Sequence, residues 1–294
     1  MSTPLFKRAA FIGIGMIGSS VARAVRTHEV AGQIVCADIN AAYRAKALEL
    51  GVVDAAYESP AEAAKGADIV ILAAPVGANK SIMQVLGPTL EPGCILTDVG
   101  SVKQAVLRDV APLVPAGVHF VPGHPIAGGE KSGPEVGDGT IFKNRWCLLT
   151  PAEGTAVDAI AKVRSLWESI GSNVEVMDAA RHDRTLAITS HLPHLIAYTI
   201  VDTAANLETD IQGDVIKFSA GGFRDSTRMA GSDPTMWRDI FLTNPDAVLE
   251  IVQRFTEDLN LLQKAIRKGD GQTLFDLFSR TKEIRERVIL AKQN

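Results

Sequence analysis

The chain has 294 residues, 46% hydrophobic and 22% charged, without long biased runs, which sets it among ordinary globular proteins of one large domain or two. Its formal net charge of -4 speaks against a surface built for nucleic-acid phosphates, which shows basic excess. No apolar run reaches the ~18 residues of a membrane span, and the short apolar start passes straight into a glycine motif, so neither a membrane partner nor a signal peptide is expected.

In chain order, residues 7–14 (KRAAFIGI) read as a buried parallel strand and MIGSSVARAV as the helix after it. QIVCAD (33–38) is the next strand, and AAYRAKALELG a helix closed by Gly51. ADIVILAAP (67–75) is an unbroken apolar strand, followed by a helix over about 78–87. GCILTDVG (93–100) is a strand, 103–113 a helix and VHFVPG a further strand end. RWCLLTP and NVEVMD are the last strands, separated by the helix TAVDAIAKVRSLWESIG. Such alternation predicts a parallel sheet with right-handed crossovers. After about 177 strand signals stop and helical periodicity runs to the end. Asn244 and Pro245 read as an N-cap and first-turn proline of a helix that Gly269 stops near 268, and a last helix covers about 271–291. The chain is therefore read as an α/β domain, 1–177, followed by an all-helical one, 178–294. The cysteines Cys36, Cys94 and Cys147 form no C-x-x-C pair and sit in apolar stretches. Buried thiols in a reducing cytosol are expected, and no metal site.

FIGIGMIGSS places Gly13, Gly15 and Gly18 in G-x-G-x-x-G spacing, with Met16 and Ile17 between, after a predicted strand and at the start of a predicted helix. In that context the glycines allow a tight turn, close approach of a pyrophosphate, and helix-on-strand packing; the helix N-terminus offers N–H groups to the phosphates. Asp38 ends the second strand about twenty residues on, where a carboxylate accepts from a ribose 2′-hydroxyl and repels a 2′-phosphate. NAD is thus favoured over NADP. AAPVG, with Ala74, Pro75 and Val76, and DVGSVK, with Ser101, lie at further strand ends and are expected near the same ligand.

FVPGHPIAGGEKSG (120–133) is too rich in glycine for a helix and too polar for a core strand. Its His124 follows a strand and so faces the crevice, either in the chemistry or as a loop hydrogen-bond donor. In TSHLPHLIAYTIVD (189–202), Ser190 and His194 share a helix face, and His191 lies a little round it. Pro193 cannot donate to the carbonyl of Thr189, which predicts a kink or opened turn, either lining a cavity or simply bending a core helix. GGFRDSTRMAGSDPTMWRDI (221–240) gathers Arg224, Arg228 and Arg238 with Asp225, Asp233 and Asp239. It reads either as a salt-bridged surface or as one arginine turned inward as a carboxylate fork; Trp237 reads as core.

GIGMIGSS, DVGSVK, GHPIAGGEKSG, SHLPH and FRDSTRMAGSDPTMWRDI, in this order, closely resemble the prephenate/arogenate (cyclohexadienyl) dehydrogenase family over nearly the whole chain, the last three motifs being the specific ones. The resemblance implies a Rossmann-like domain followed by a helical dimerisation domain, a cytoplasmic homodimer, and NAD as cofactor. It implies oxidation of prephenate or arogenate, with hydride passed to NAD+, loss of CO2 and aromatisation, on the way to tyrosine. By resemblance His124 takes the proton of the substrate hydroxyl, and Ser101 orients that histidine. Arg228 holds a substrate carboxylate, and Ser190 and His194 contact the substrate. Glu130 stands near the mouth of the site, paired with Asp225. Longer family members carry regulatory or mutase segments; neither is expected here, so any tyrosine inhibition would act near the active site. A β-hydroxyacid dehydrogenase would rely on a lysine in the helix that here carries SHLPH. A non-catalytic NAD-binding module would have no use for His124, Ser101 and Arg228 together.

Overall fold

A computed structural model describes residues 3–206 and 209–290; residue 291, at the predicted end of the last helix, lies outside them. Six parallel strands form the main sheet: β1 (Phe6–Ile12), β2 (Ala31–Ala37), β3 (Ala55–Tyr57), β4 (Ile69–Leu72), β5 (Ile95–Asp98) and β6 (His119–Val121). Their order is β3-β2-β1-β4-β5-β6. Helices α1 (Met16–Thr27), α2 (Ala41–Glu49), α3 (Pro60–Ala64), α4 (Asn79–Leu86) and α5 (Lys103–Val110) connect them. All four residues of β4 are buried, as are all four of β5, because helices cover both faces of such a sheet. One core holds Phe11, Ile34, Ile71 and Trp167, the other Val70, Leu72, Met83 and Leu96. Burial of each such aliphatic side chain is worth roughly 1.5–3 kcal/mol. Chain order reverses between the neighbours β1 and β4, and in sheets of this kind ligands bind outside the carboxyl ends of strands at that point.

Local signals account for the boundaries. The Asn40 side chain accepts from the N–H groups of Ala42 and Tyr43 to start α2, and Gly51, at φ 63, lets the chain leave it. The short β3 and α3 fall in a stretch where the sequence pattern shows no element.

RWCLLTP and NVEVMD do form strands, but not in the main sheet. β8 (Trp146–Leu149) and β9 (Asn173–Val176), joined by α6 (Val157–Ser169), form a separate three-stranded sheet with β7 (Gly123–Pro125). β8 and β9 run parallel, whereas β7 is antiparallel to β8, with Gly123 opposite Leu149 and Pro125 opposite Cys147. Pro122 has no N–H to continue the ladder after β6, and the chain departs there to a new partner. His124, read as part of a glycine-rich segment unlike a core strand, is therefore the middle residue of a strand.

The rest is helical: α7 (Ala179–Leu186), α8 (Leu192–Ala205), α9 (Thr209–Phe218), α10 (Gly221–Thr227), α11 (Pro234–Thr243), α12 (Pro245–Lys268) and α13 (Gly271–Leu290). The chain resolves into two compact units, Met1–Asn244 and Pro245–Asn294. Within the second, Gly269 at φ 67 turns the chain between α12 and α13, and this pair leaves Leu249, Leu261, Ile266, Phe275 and Phe278 exposed. Among the described residues no helix is long and apolar enough to cross a membrane.

Candidate active site

The glycine turn after β1 divides its work between fold and ligand. Gly13 sits at φ +97, and a Cβ there would lie 2.7 Å from the Ala73 backbone. A Cβ on Gly18 would lie 2.3 Å from the Gly13 carbonyl oxygen. Both positions are closed by the protein itself. Gly15 is different: nothing lies within 4 Å of where its Cβ would be. It caps α1 with no side-chain hydrogen bond, so first-turn N–H groups remain for an anion. Met16 and Ile17 begin that turn, half-buried. Asp38 follows β2; its Oδ2 accepts from the Ile14 N–H at 2.8 Å and its Oδ1 from the Asn40 N–H at 2.8 Å. Each oxygen keeps a further lone pair for a ribose hydroxyl. An open glycine cradle at a helix N-terminus with a carboxylate at the next strand end is a donor set that fits NAD.

Past β4, Ala74 is half-buried and Pro75 exposed. Val76 is buried in the core that also holds Trp237 of α11. That packing brings α11 against the carboxyl end of β4. A Cβ on Gly128 would lie 3.9 Å from both Met16 Cε and Ile17 Cδ1, so the loop after His124 reaches the glycine turn.

His124 is half-buried, and its Nδ1 lies 2.8 Å from His182 Nε2. His182 Nδ1 in turn lies 2.8 Å from Asp183 Oδ1. His182 and Asp183 are wholly buried. Asp183 also accepts from the Lys103 N–H at 2.7 Å and the Gln104 N–H at 2.9 Å, the first turn of α5. Burial alone would raise its carboxyl, but the bonds from His182, Gln104 and Lys103 outweigh that and hold it below the usual carboxylate range. Desolvation pushes His124 well below the ordinary histidine value, and the nearby His182, Lys103 and His191, which disfavour a further cation beside them, push the same way. Desolvation also lowers His182, against the bond to Asp183. Both rings are therefore neutral near neutrality. The other nitrogen of His124, Nε2, makes no hydrogen bond to a described residue. Ser101 is half-buried but makes no hydrogen bond to His124; the ring is held by His182 instead.

Beneath this chain lies a buried ion pair. Lys103 Nζ donates to Asp98 Oδ2 and to the Gly123 carbonyl at 2.6 Å, while Asp98 Oδ1 accepts from the Gly123 N–H at 3.1 Å. The end of β5 thus fixes the residue before His124.

The helical segment supplies the other wall. Before Pro193 the helix widens into a π turn over Ala187–His191, the opened turn that a missing N–H invites. Ser190 is half-buried, and its carbonyl accepts from His194 Nδ1 at 2.9 Å. His194 stacks on Trp237, with ring centroids 3.6 Å apart; burial lowers its pKa against the Ser190 carbonyl, with Arg228 lowering it further. Arg228 Nη1 donates to Glu130 Oε1. The arginine is largely exposed, its side chain at 68%, rather than turned into the interior. Glu130 pairs with Arg228 and not with Asp225, which is exposed; two carboxylates repel, and the cation takes the place. Asn244 Nδ2 donates to the Asp183 carbonyl at 3.1 Å and approaches His191 Nδ1 at 3.3 Å. His191 is buried, and its Nε2 has no hydrogen-bond partner among the described residues.

Sequence reasoning missed His182, Asp183 and Lys103. The signal was present for the first two. They share the inward face of α7 with Ala179 and Leu186, so a histidine and an aspartate occupy positions where helical periodicity calls for apolar residues.

The chain also resembles known proteins. Residues 21–176 match the family described as "Prephenate dehydrogenase, nucleotide-binding domain", and residues 178–280 its "dimerization domain". A cyclohexadienyl dehydrogenase of Zymomonas mobilis is 37% identical over 96% of both chains. The structure of prephenate dehydrogenase from A. aeolicus with hydroxyphenyl propionate and NAD+ superposes at TM-score 0.89, with 34% identity, over 96% of this chain and 98% of that one. Arogenate dehydrogenase of Synechocystis gives TM-score 0.79 at 28% identity, over 96% and 99%. With both halves matched and full-length relatives at this identity, the chain belongs to the prephenate dehydrogenase family.

Proposed function

We propose that this chain catalyses the NAD-dependent oxidative decarboxylation of prephenate, arogenate or both. The observation that carries the reading is the ring of His124, with one nitrogen held inside the protein and the other without a hydrogen bond among the described residues, in a segment whose loop reaches the open glycine turn. NAD+, when bound, accepts the hydride. Gly15, with Met16 and Ile17 in the first turn of α1, would hold its pyrophosphate in the turn that Gly13 and Gly18 shape, and Asp38 its ribose, with Ala74, Pro75, Val76 and Ser101 at the neighbouring strand ends.

His124 takes the proton of the substrate hydroxyl as the O–H electrons become the new carbonyl bond and hydride leaves the carbon. The ring carboxylate then departs as CO2, its bonding pair passing through the ring to the carbonyl oxygen, which takes the proton back from His124 as the phenol of the aromatic product. Desolvation keeps the imidazole neutral and ready, and general-base help of this kind is worth ~10²–10⁴ in rate. Arg228 would bind a substrate carboxylate, which must displace Glu130 to do so. His194, braced by the Ser190 carbonyl and Trp237, would present Nε2 to the substrate. Binding by Arg228 helps catalysis only so far as it favours the transition state over the ground state.

The family boundary between 176 and 178 supports 1–177 as the nucleotide-binding domain and 178–294 as the helical one. The exposed apolar residues of α12 and α13, together with the family's dimerization domain, support a homodimer. A cytoplasmic location fits biosynthetic chemistry and buried free thiols. Tyrosine, if it inhibits, would do so at this same site. The test is NADH formation with each substrate and the ratio of kcat/KM for the two. No NADH with either would overturn the reading.

A further inference from the structure

We infer that His182 and Asp183 are positioning residues that hold the His124 proton on Nδ1 and leave Nε2 as the base. This rests on His124 acting as the base proposed above. The geometry gives the order of donors. A carboxylate can only accept, so the 2.8 Å contact at Asp183 Oδ1 places a proton on His182 Nδ1. A neutral ring carries one N–H, so His182 Nε2 has only a lone pair. The 2.8 Å contact between that nitrogen and His124 Nδ1 then requires the hydrogen from His124. The remaining nitrogen of His124, Nε2, holds a lone pair.

Asp183 is itself held. Its two oxygens accept from the Lys103 and Gln104 N–H groups and from His182, and the positive end of α5 adds to their effect. The carboxylate cannot swing away without leaving buried donors unpaired. When Nε2 takes the substrate proton, the imidazolium still donates through Nδ1 to His182, which still donates to Asp183. The new positive charge therefore faces a fixed anion across one ring. That offsets what burial costs the charged form, and no proton has to reach Asp183. The charged or titratable groups facing this chain are Lys103 on α5, Asp98 on β5, Cys147 on β8 and His191 in the π turn.

The test uses the full-length protein with its six histidines labelled with ¹⁵N, the His124 signals being assigned by their loss in His124→Asn. Wild type should show His124 protonated at Nδ1 and bare at Nε2. Asp183→Ala removes the acceptor that fixes the proton on His182 Nδ1, so the proton on His124 should no longer be held at Nδ1 and should be shared between its two nitrogens. Turnover should fall roughly 10²–10⁴-fold, with NAD+ affinity within about threefold of the parent. His182→Gln keeps an acceptor for Nδ1–H but breaks the path to the anion. It should keep the tautomer, lose about tenfold in kcat and move the acid limb of kcat/KM to lower pH. This second variant decides the matter if Asp183→Ala does not fold. A wild-type His124 protonated at Nε2 overturns the inference, as does an unchanged tautomer in Asp183→Ala. An unmoved acid limb in His182→Gln, with activity lost only through NAD+ binding or melting temperature, marks a merely structural role and also overturns it. Wild type with the stated tautomer but no turnover would sink the proposed reaction and leave the proton assignment standing.

Discussion

Lys103 Nζ lies 2.5 Å from Asp98 Oδ2, and neither side chain reaches solvent. Burial pushes the lysine down in pKa while Asp98 holds it up. Removing one partner leaves a buried charge alone, which costs roughly 3–5 kcal/mol. Lys103→Met is expected to lower the denaturation midpoint accordingly. It should also lower turnover, since the same ammonium fixes the Gly123 carbonyl beside His124. A variant as stable as its parent would show that the pair contributes nothing.

The three glycines should separate. Gly13→Ala meets the Ala73 backbone at positive φ, and Gly18→Ala the Gly13 carbonyl; both are expected to unfold or melt early. Gly15→Ala has open space and an extended backbone. It should change stability by no more than about 1 kcal/mol while weakening NAD+ at least tenfold, by about 1.4 kcal/mol or more. Thermal melting and NAD+ titration on the three variants check this. Gly15→Ala with normal NAD+ affinity would place the pyrophosphate elsewhere.

Stability should fall with acid. Burial pushes the His191 pKa down to about 4, against ~6.5 in the unfolded chain. Between those values the unfolded state binds more protons, so stability is full above the unfolded value, drains away as pH falls, and levels off below the folded one. The contribution of His191 is on the order of 3 kcal/mol. His124, His182 and His194 shift in the same direction. Melting temperature against pH for wild type and His191→Gln checks it: the variant should lose less on acidification, and parallel curves would exclude His191.

Arg228→Lys keeps a charge but not the fork. The KM for substrate should rise about tenfold or more, with NAD+ affinity unchanged. Steady-state kinetics with saturating NAD+ reads this directly, and an unaltered KM would put the carboxylate on another group.

Much of this was legible in residue order. The βαβ pattern, Gly13-x-Gly15-x-x-Gly18 and Asp38 carry their own geometry, because turn, helix start and strand end are local. Pro193 announced the π turn for the same reason. What could not be read was pairing across distance. Pro122 shows that a ladder stops, not that β7 then joins β8 and β9 in a second sheet. Ser101 lies nearer His124 in the chain than His182 does, yet His182, 58 residues further on, holds the ring. Glu130 met Arg228, 98 residues away, because the opposite charge was there to meet. Such partners are chosen by tertiary packing.

The most direct test of the central claim is the rate of NADH formation from prephenate and NAD+ by wild type and His124→Asn side by side, with NAD+ affinity measured on both. Wild type should turn over, and the variant should bind NAD+ normally while slowing ~10²-fold or more. Equal rates in the two proteins would contradict it.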